Sequence, residues 1–224
     1  MRMCGRFTLT DEILHLQEQF EFEFEGDFEP RYNIAPSQQV LAVGSNGFRR
    51  KGNMLRWGLV PHWAKDEKIG YKMINARAES LDEKPSFRQA FQNHRCLILA
   101  DGFYEWQKTE KGKQPYRFVM KDRKPFALAG LDDVWKRDGK TLFTCTIITT
   151  IPNDVTRDVH DRMPVILPPD GYDRWITPNY ESVTNLKSLL VPYPAEEMEK
   201  YPVSSLVNSP KNEMVDCMFP INSF

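Results

Sequence analysis

The sequence predicts an α+β protein with a largely antiparallel β core of barrel-like sheets and short flanking helices. Three observations predict it. Apolar, strand-like runs are joined by Gly-marked turns in three successive hairpins. Helical periodicity is confined to short segments outside those hairpins. No linker, repeat or low-complexity tract interrupts the 224 residues, so residues 1–224 are expected to form a single domain.

Taken in order, Thr10 is expected to cap a helix running through about Phe20. Asp11 and Glu12 complement its N-terminal dipole, and Ile13, Leu16 and Phe20 share one face. "FEFEFEGDFEPRYNIAPSQ" alternates Phe with Glu before a Pro-marked loop, the pattern of a strand or edge with one solvated face. From Val40 the texture is β, with turns expected at Asn46-Gly47, around Lys111-Gly112 and at Asp138-Gly139. Short helices are expected at "PNDVTRDV" and "NYESVTNLKSLL", then a last strand near "YPVSSLV".

Composition narrows the function. With 41% hydrophobic and 27% charged residues the chain is globular. No apolar run approaches the ~20 residues of a membrane span. The acidic "TDEILHLQEQFEFEFEG" does not resemble a signal peptide, so an intracellular protein is expected, with no membrane partner. A net charge of −1 argues against a broad basic face and leaves room only for a small Arg cluster. Cys4, Cys96, Cys145 and Cys217 are scattered without a C-x-x-C, so no metal site and no cofactor are expected. Cys96 and Cys145 lie in apolar runs, where buried inert thiols are expected.

Cys4, in "MRMCGRFTL", is different. Removal of the preceding residues would leave an α-amine and a thiol on one residue, with pKa values of about 7.7–8.0 and about 8.5. That pair suits an aldehyde: the amine forms an imine and the thiol closes a thiazolidine. Otherwise Cys4 is a small residue starting a strand. In "MINARAES", Asn75 and Arg77 share one side of an extended chain, offering an amide and a fork for phosphate or carboxylate; a surface Arg77–Glu79 pair is the alternative. In "DGFYEW", Glu105 stands between aromatics, either desolvated as a general acid–base or, by simple alternation, turned to water. In "VHDRMPVIL", His160 and Arg162 precede an apolar strand that can present them to a pocket, or His160 is structural. His15, His62 and His94 have weaker surroundings.

Together, "MCGRFTL", "RYNIAPSQ", "RWGLVPHWAK", "INARAES", "CLILADGFYEW", "PFALAGLDDVW" and "HDRMPVIL" resemble the SRAP family of abasic-site processing proteins, once named SOS-response-associated peptidases. The resemblance implies one antiparallel α+β domain that binds single-stranded DNA and captures the ring-opened aldehyde of an abasic site. It implies Cys4 as nucleophile, Asn75 holding the amine or opened sugar, Glu105 as general acid–base and His160 assisting proton transfer. Lyase and self-processing peptidase chemistry are implied alongside. Arg6, Arg77 and Arg162 fit as phosphate clamps, and Trp57 or Trp63 as a stacking face. A monomer near the nucleoid is expected, and the sequence names no protein partner. The family begins Met-Cys, whereas Met1 and Arg2 precede Met3 here, so a start at Met3 or cleavage before Cys4 is expected. The rivals are an N-terminal-nucleophile amidohydrolase, testable by glutaminase assay, and a non-catalytic single-strand binder.

Overall fold

The computed structural model describes residues 5–221; Cys4 lies outside the described residues. The chain begins with β1 (Phe7–Leu9), α1 (Ile13–Phe20) and β2 (Arg31–Ile34). The hairpin β3 (Gln39–Ser45) and β4 (Arg50–Trp57) follows, then β5 (Asn75–Arg77) and α2 (Pro85–Asn93). β6 (Arg95–Ala100), β7 (Gly102–Thr109), β8 (Gly112–Met120), β9 (Phe126–Arg137) and β10 (Lys140–Thr150) come in succession. The chain continues through β11 (Met163–Pro164), β12 (Ile166–Leu167), α3 (Tyr172–Ile176), α4 (Val183–Lys187) and β13 (Met198–Pro202).

Five strands close on themselves in the order β10-β4-β3-β6-β9 and back to β10. All ring pairings are antiparallel except β4–β10, where Trp57 runs parallel beside Cys145. Closure leaves no free edge within the ring. Its strands are apolar on both faces, with Leu41, Val43, Leu97, Leu99 and Ala129 nearly inaccessible on one and Ala42, Cys96, Ile98 and Cys145 on the other. A second antiparallel sheet, ordered β13-β8-β7-β1-β2, shares a continuous strand path with the ring through β6, Asp101 and β7. The two meet where Phe7 packs edge-on against Trp57, with ring centroids 5.2 Å apart.

Asp101 locks that junction. One carboxylate oxygen accepts from Thr8 Oγ1 and from Arg117 Nη2 at 3.1 Å; the other accepts from Thr10 N at 2.5 Å and Thr10 Oγ1 at 2.6 Å. Thr10 is therefore spent on Asp101 rather than capping a helix. α1 starts at Ile13 behind Glu12, with no side-chain cap. Gly102 is required here because a Cβ would lie 2.7 Å from the Arg117 guanidinium.

The three hairpins form. Asp138 and Gly139, at φ 50° and 76°, make a two-residue connection between Arg137 and Lys140, the mirror-image turn that matches strand twist. The Asn46-Gly47 connection is four residues long rather than two, since Ser45 pairs with Arg50 and Asn46 Oδ1 accepts from Phe48 N and Arg49 N. "FEFEFEG" is an extended edge: Phe22 is buried, Phe24 packs on the core, and Glu23 makes an isolated bridge to Lys51. The helix expected at "PNDVTRDV" is replaced by turns. Asn153 Oδ1 accepts from Val155 N, Thr156 N and Thr156 Oγ1, competing with a helical ladder. Ser182 caps α4 by accepting from Asn185 N, and the last strand lies earlier than expected, at β13.

Candidate functional site

Glu105 is positioned by β7, between Tyr104 and Trp106. Alternation turns it to the same face as Phe103, which stacks on Phe118 at 4.8 Å, while Tyr104 and Trp106 face a satellite cluster with Val203, Val207 and Cys217. Glu105 is only 3% exposed, so of the two orientations open to it the buried one is found. β1 runs beside β7 with Phe7 opposite Phe103 and Thr8 opposite Gly102. Tyr104 N donates to Arg6 O at 2.9 Å, and the register continued two residues back brings Gly5 level with Glu105. The described chain thus enters β1 past this carboxylate.

Asn75 opens β5, which lies parallel to β10 with Asn75 beside Ile147. Trp57 holds this strand in place: its indole Nε1 donates to Ile74 O at 2.8 Å, while its ring packs on Phe7. At 1% exposed, Trp57 cannot offer a face to a base, and its role is corrected from stacking to joining β1 to β5.

Arg77 ends β5 and is exposed, with no ion pair among the described residues. The expected Arg77–Glu79 pair does not form, because Glu79 is taken by Arg162: Nη1 to Oε1 is 2.6 Å and Nη2 to Oε2 is 2.9 Å. Arg162 also donates to Thr149 O at 2.6 Å and is 8% exposed. It straps the His160 loop to β10, and would reach a phosphate only by releasing Glu79. The hydrogen bonds to Arg162 hold the Glu79 carboxyl below its usual range.

The His160 ring is largely enclosed. Its Nδ1 accepts from Arg162 N at 3.1 Å, and Asp161 Oδ1 lies 3.0 Å from the same nitrogen. Arg77 and His160 line one open cleft of about 470 Å³ with Trp106, Gln107, Lys108 and Asp158. Gln107 is on Glu105's face of β7 and donates to Asp158 O at 3.0 Å, tethering the His160 loop to that strand. The sequence reasoning missed Gln107, although continuing the alternation two residues past Glu105 finds it.

Arg6 is turned the other way. Its Nη1 donates to Asn33 Oδ1 at 2.8 Å and Val207 O at 2.6 Å, and its guanidinium lies 5.7 Å from the Trp106 ring centroid. Arg6 therefore braces the face of the second sheet opposite Glu105, a correction to its expected place as a phosphate clamp. Burial lowers its pKa. Trp63 is 51% exposed on the loop after β4, but is not part of the Arg77–His160 cleft. Burial pushes the Cys96 and Cys145 thiols well up, and Cys217 is also raised. Among the described residues no group of His, Cys, Asp and Glu could hold a metal ion, and no helix is long and apolar enough to cross a membrane.

A closed five-stranded barrel, joined to a second antiparallel sheet and carrying a polar cleft beside its N-terminal strand, defines a distinct class of α+β protein. Residues 3–210 match the family described as SOS response associated peptidase (SRAP), and the chain belongs to that family. It is 54% identical over 215 residues to abasic site processing protein YoqW of Bacillus subtilis (strain 168), covering 94% of this chain and 96% of the relative. It is 51% identical over 221 residues to YoaM, an abasic site processing protein of the same organism, covering 96% and 97%. The abasic site processing protein HMCES of Gallus gallus is 31% identical over 238 residues, covering 92% of this chain and 70% of the relative. A crystal structure of a protein from Bacteroides thetaiotaomicron superposes with a TM-score of 0.88 at 26% identity, covering 97% of this chain and all of that one.

Proposed function

We propose that this protein processes abasic sites in single-stranded DNA by forming a covalent thiazolidine through Cys4, once the residues before it are removed. The observation that carries the reading is structural. The chain leaving Cys4 passes buried Glu105, beside a cleft shared by Arg77 and His160, in a family whose relatives are named for abasic-site processing.

The steps balance. Glu105 moves a proton between the sugar's O1′ and O4′, opening the abasic hemiacetal to its aldehyde. The Cys4 amine adds to C1′ and water leaves, giving an imine, with Asn75 holding the amine or the opened sugar. The thiol sulfur then adds to C1′ while its proton passes to nitrogen, closing the ring; one water is released overall. His160 relays protons in the same cleft. In an imine that has not closed, loss of a C2′ proton to His160 expels the phosphate from C3′, which is the lyase outcome. Arg77 supplies a phosphate contact and Trp63 an exposed stacking face. Burial of Glu105 suits this work, because a carboxylate shielded from bulk water exchanges protons with the bound sugar rather than with solvent.

The test is incubation of Cys4-terminated protein with an abasic or an intact oligonucleotide, followed by denaturing electrophoresis. A shifted band is expected with the abasic strand alone. Cys4→Ala retains an amine, so its adduct should appear only after borohydride trapping; a stable adduct without reductant contradicts the thiazolidine.

A further inference from the structure

Past the cleft, the β7–β8 hairpin continues outward without support. Among the described residues, the backbone bonds of the N-terminal segment reach no further along β7 than Tyr104, and those of β13 and Val203 no further out along β8 than Pro115. The last side-chain links to the rest of the protein are Gln107 to Asp158 O and Gln114 to Val203 O. Beyond them both strand edges are open among the described residues. One strand residue, Thr109, and the two-residue turn Glu110–Lys111 carry the tip roughly 7 Å past Lys108 at ~3.4 Å per residue.

The charges on this tip are unusual. Lys108 lies directly opposite Lys113, and Lys111 occupies the turn. Like charges placed directly across a strand pair repel. All three lysines are exposed and none makes an ion pair among the described residues, while "QKTEKGKQ" contains a single acid, Glu110. Lys108 also lines the cleft that holds Arg77 and His160. A protein of net charge −1 has little long-range attraction for a polyanion, so an uncompensated cationic arm continuous with the cleft is where such attraction would concentrate.

We propose that Lys108, Lys111 and Lys113 form a phosphate-binding arm that takes the DNA strand as it leaves the cleft. The proposal rests on the functional reading above and adds a second, non-catalytic contact region to it. Strands extending several nucleotides past the lesion engage the arm; shorter ones do not. Counterion release makes its contribution salt-dependent, and absence of base-directed groups makes it indifferent to sequence.

The experiment compares wild type with the double variant Lys111→Gln, Lys113→Gln, and with a control, Lys121→Gln with Lys124→Gln, in a separate cleft. Affinity for intact strands is titrated against salt, and single-turnover crosslinking is followed on short and long abasic oligonucleotides. The double variant should show a log–log salt slope shallower by ~0.7 per lost contact, up to ~1.4 in all. Its deficit should vanish at high salt and on the short strand, with crosslinking at saturation unchanged and the control equal to wild type. If wild type binds and crosslinks but the double variant keeps its slope, the arm is overturned and the functional reading stands. Should the double variant aggregate, Lys111→Gln alone, in the turn rather than on a strand edge, gives the same reading with a slope change of ~0.7. If wild type binds no strand, both fall together.

Discussion

Glu105 and Gln107 share a face of β7, yet one is sealed in and the other spans the cleft to Asp158 O. That difference separates chemistry from binding. Glu105→Gln preserves shape and removes the exchangeable charge, so single-strand affinity should hold while single-turnover adduct formation slows by ~10²–10⁴-fold. Poor binding with normal reaction once bound would make Glu105 structural. Thiol accessibility gives a second residue-level test. Cys96, Cys145 and Cys217 are buried and their pKa values are raised, so they should resist alkylation near neutral pH in the folded protein. Mass spectrometry of briefly alkylated native protein should find modification at Cys4 and none at the other three. The candidate chemical residues were legible in their motifs, because an amide, a carboxylate and an imidazole among apolar runs are conspicuous. The facing of Arg6 and the burial of Trp57 were not, since both depend on partners far along the chain, Val207 and Ile74.

At the scale of elements, the loop carrying His160 is held by Asn153, by Gln107 and by the Arg162–Glu79 strap. Glu79 has a lowered folded-state pKa, so the strap contributes stability above the usual carboxylate range and loses it as pH falls through the folded value. Glu79→Gln should therefore cost about 1–2 kcal/mol at neutral pH, a figure discounted for Glu79's partial exposure. Its thermal midpoint should converge with wild type as pH falls through the lowered folded-state value, and a constant gap across pH would mean the strap is not ionic. Gly139→Ala, at φ 76°, should cost about 1 kcal/mol or more by straining the β9–β10 turn, lowering the midpoint by ~2–4 °C. The hairpins were readable because turn chemistry is local. The helix expected at "PNDVTRDV" failed because the Asn153 side chain, tied also to Tyr193 O, outcompetes the ladder.

For the whole molecule, barrel closure brings β5 beside β10 and fixes Asn75 and Arg77 to the same frame as the His160 loop, which Arg162 ties to Thr149. The antiparallel character of the core was legible. The closing contact was not, because a short parallel pairing of β4 with β10 has no turn or local pattern to announce it. Such a frame holds a small set of polar groups in fixed relation without a broad basic face. In the proposed chemistry the α-amine and thiol of Cys4 act together on an aldehyde. Intact mass, taken with and without an abasic oligonucleotide, is its sharpest test. Protein verified to start at Cys4 should gain the mass of the oligonucleotide less one water and survive denaturation without reductant, while protein retaining Met1 should gain nothing. No adduct from the Cys4-terminated form, or equal adducts from both, would contradict the account.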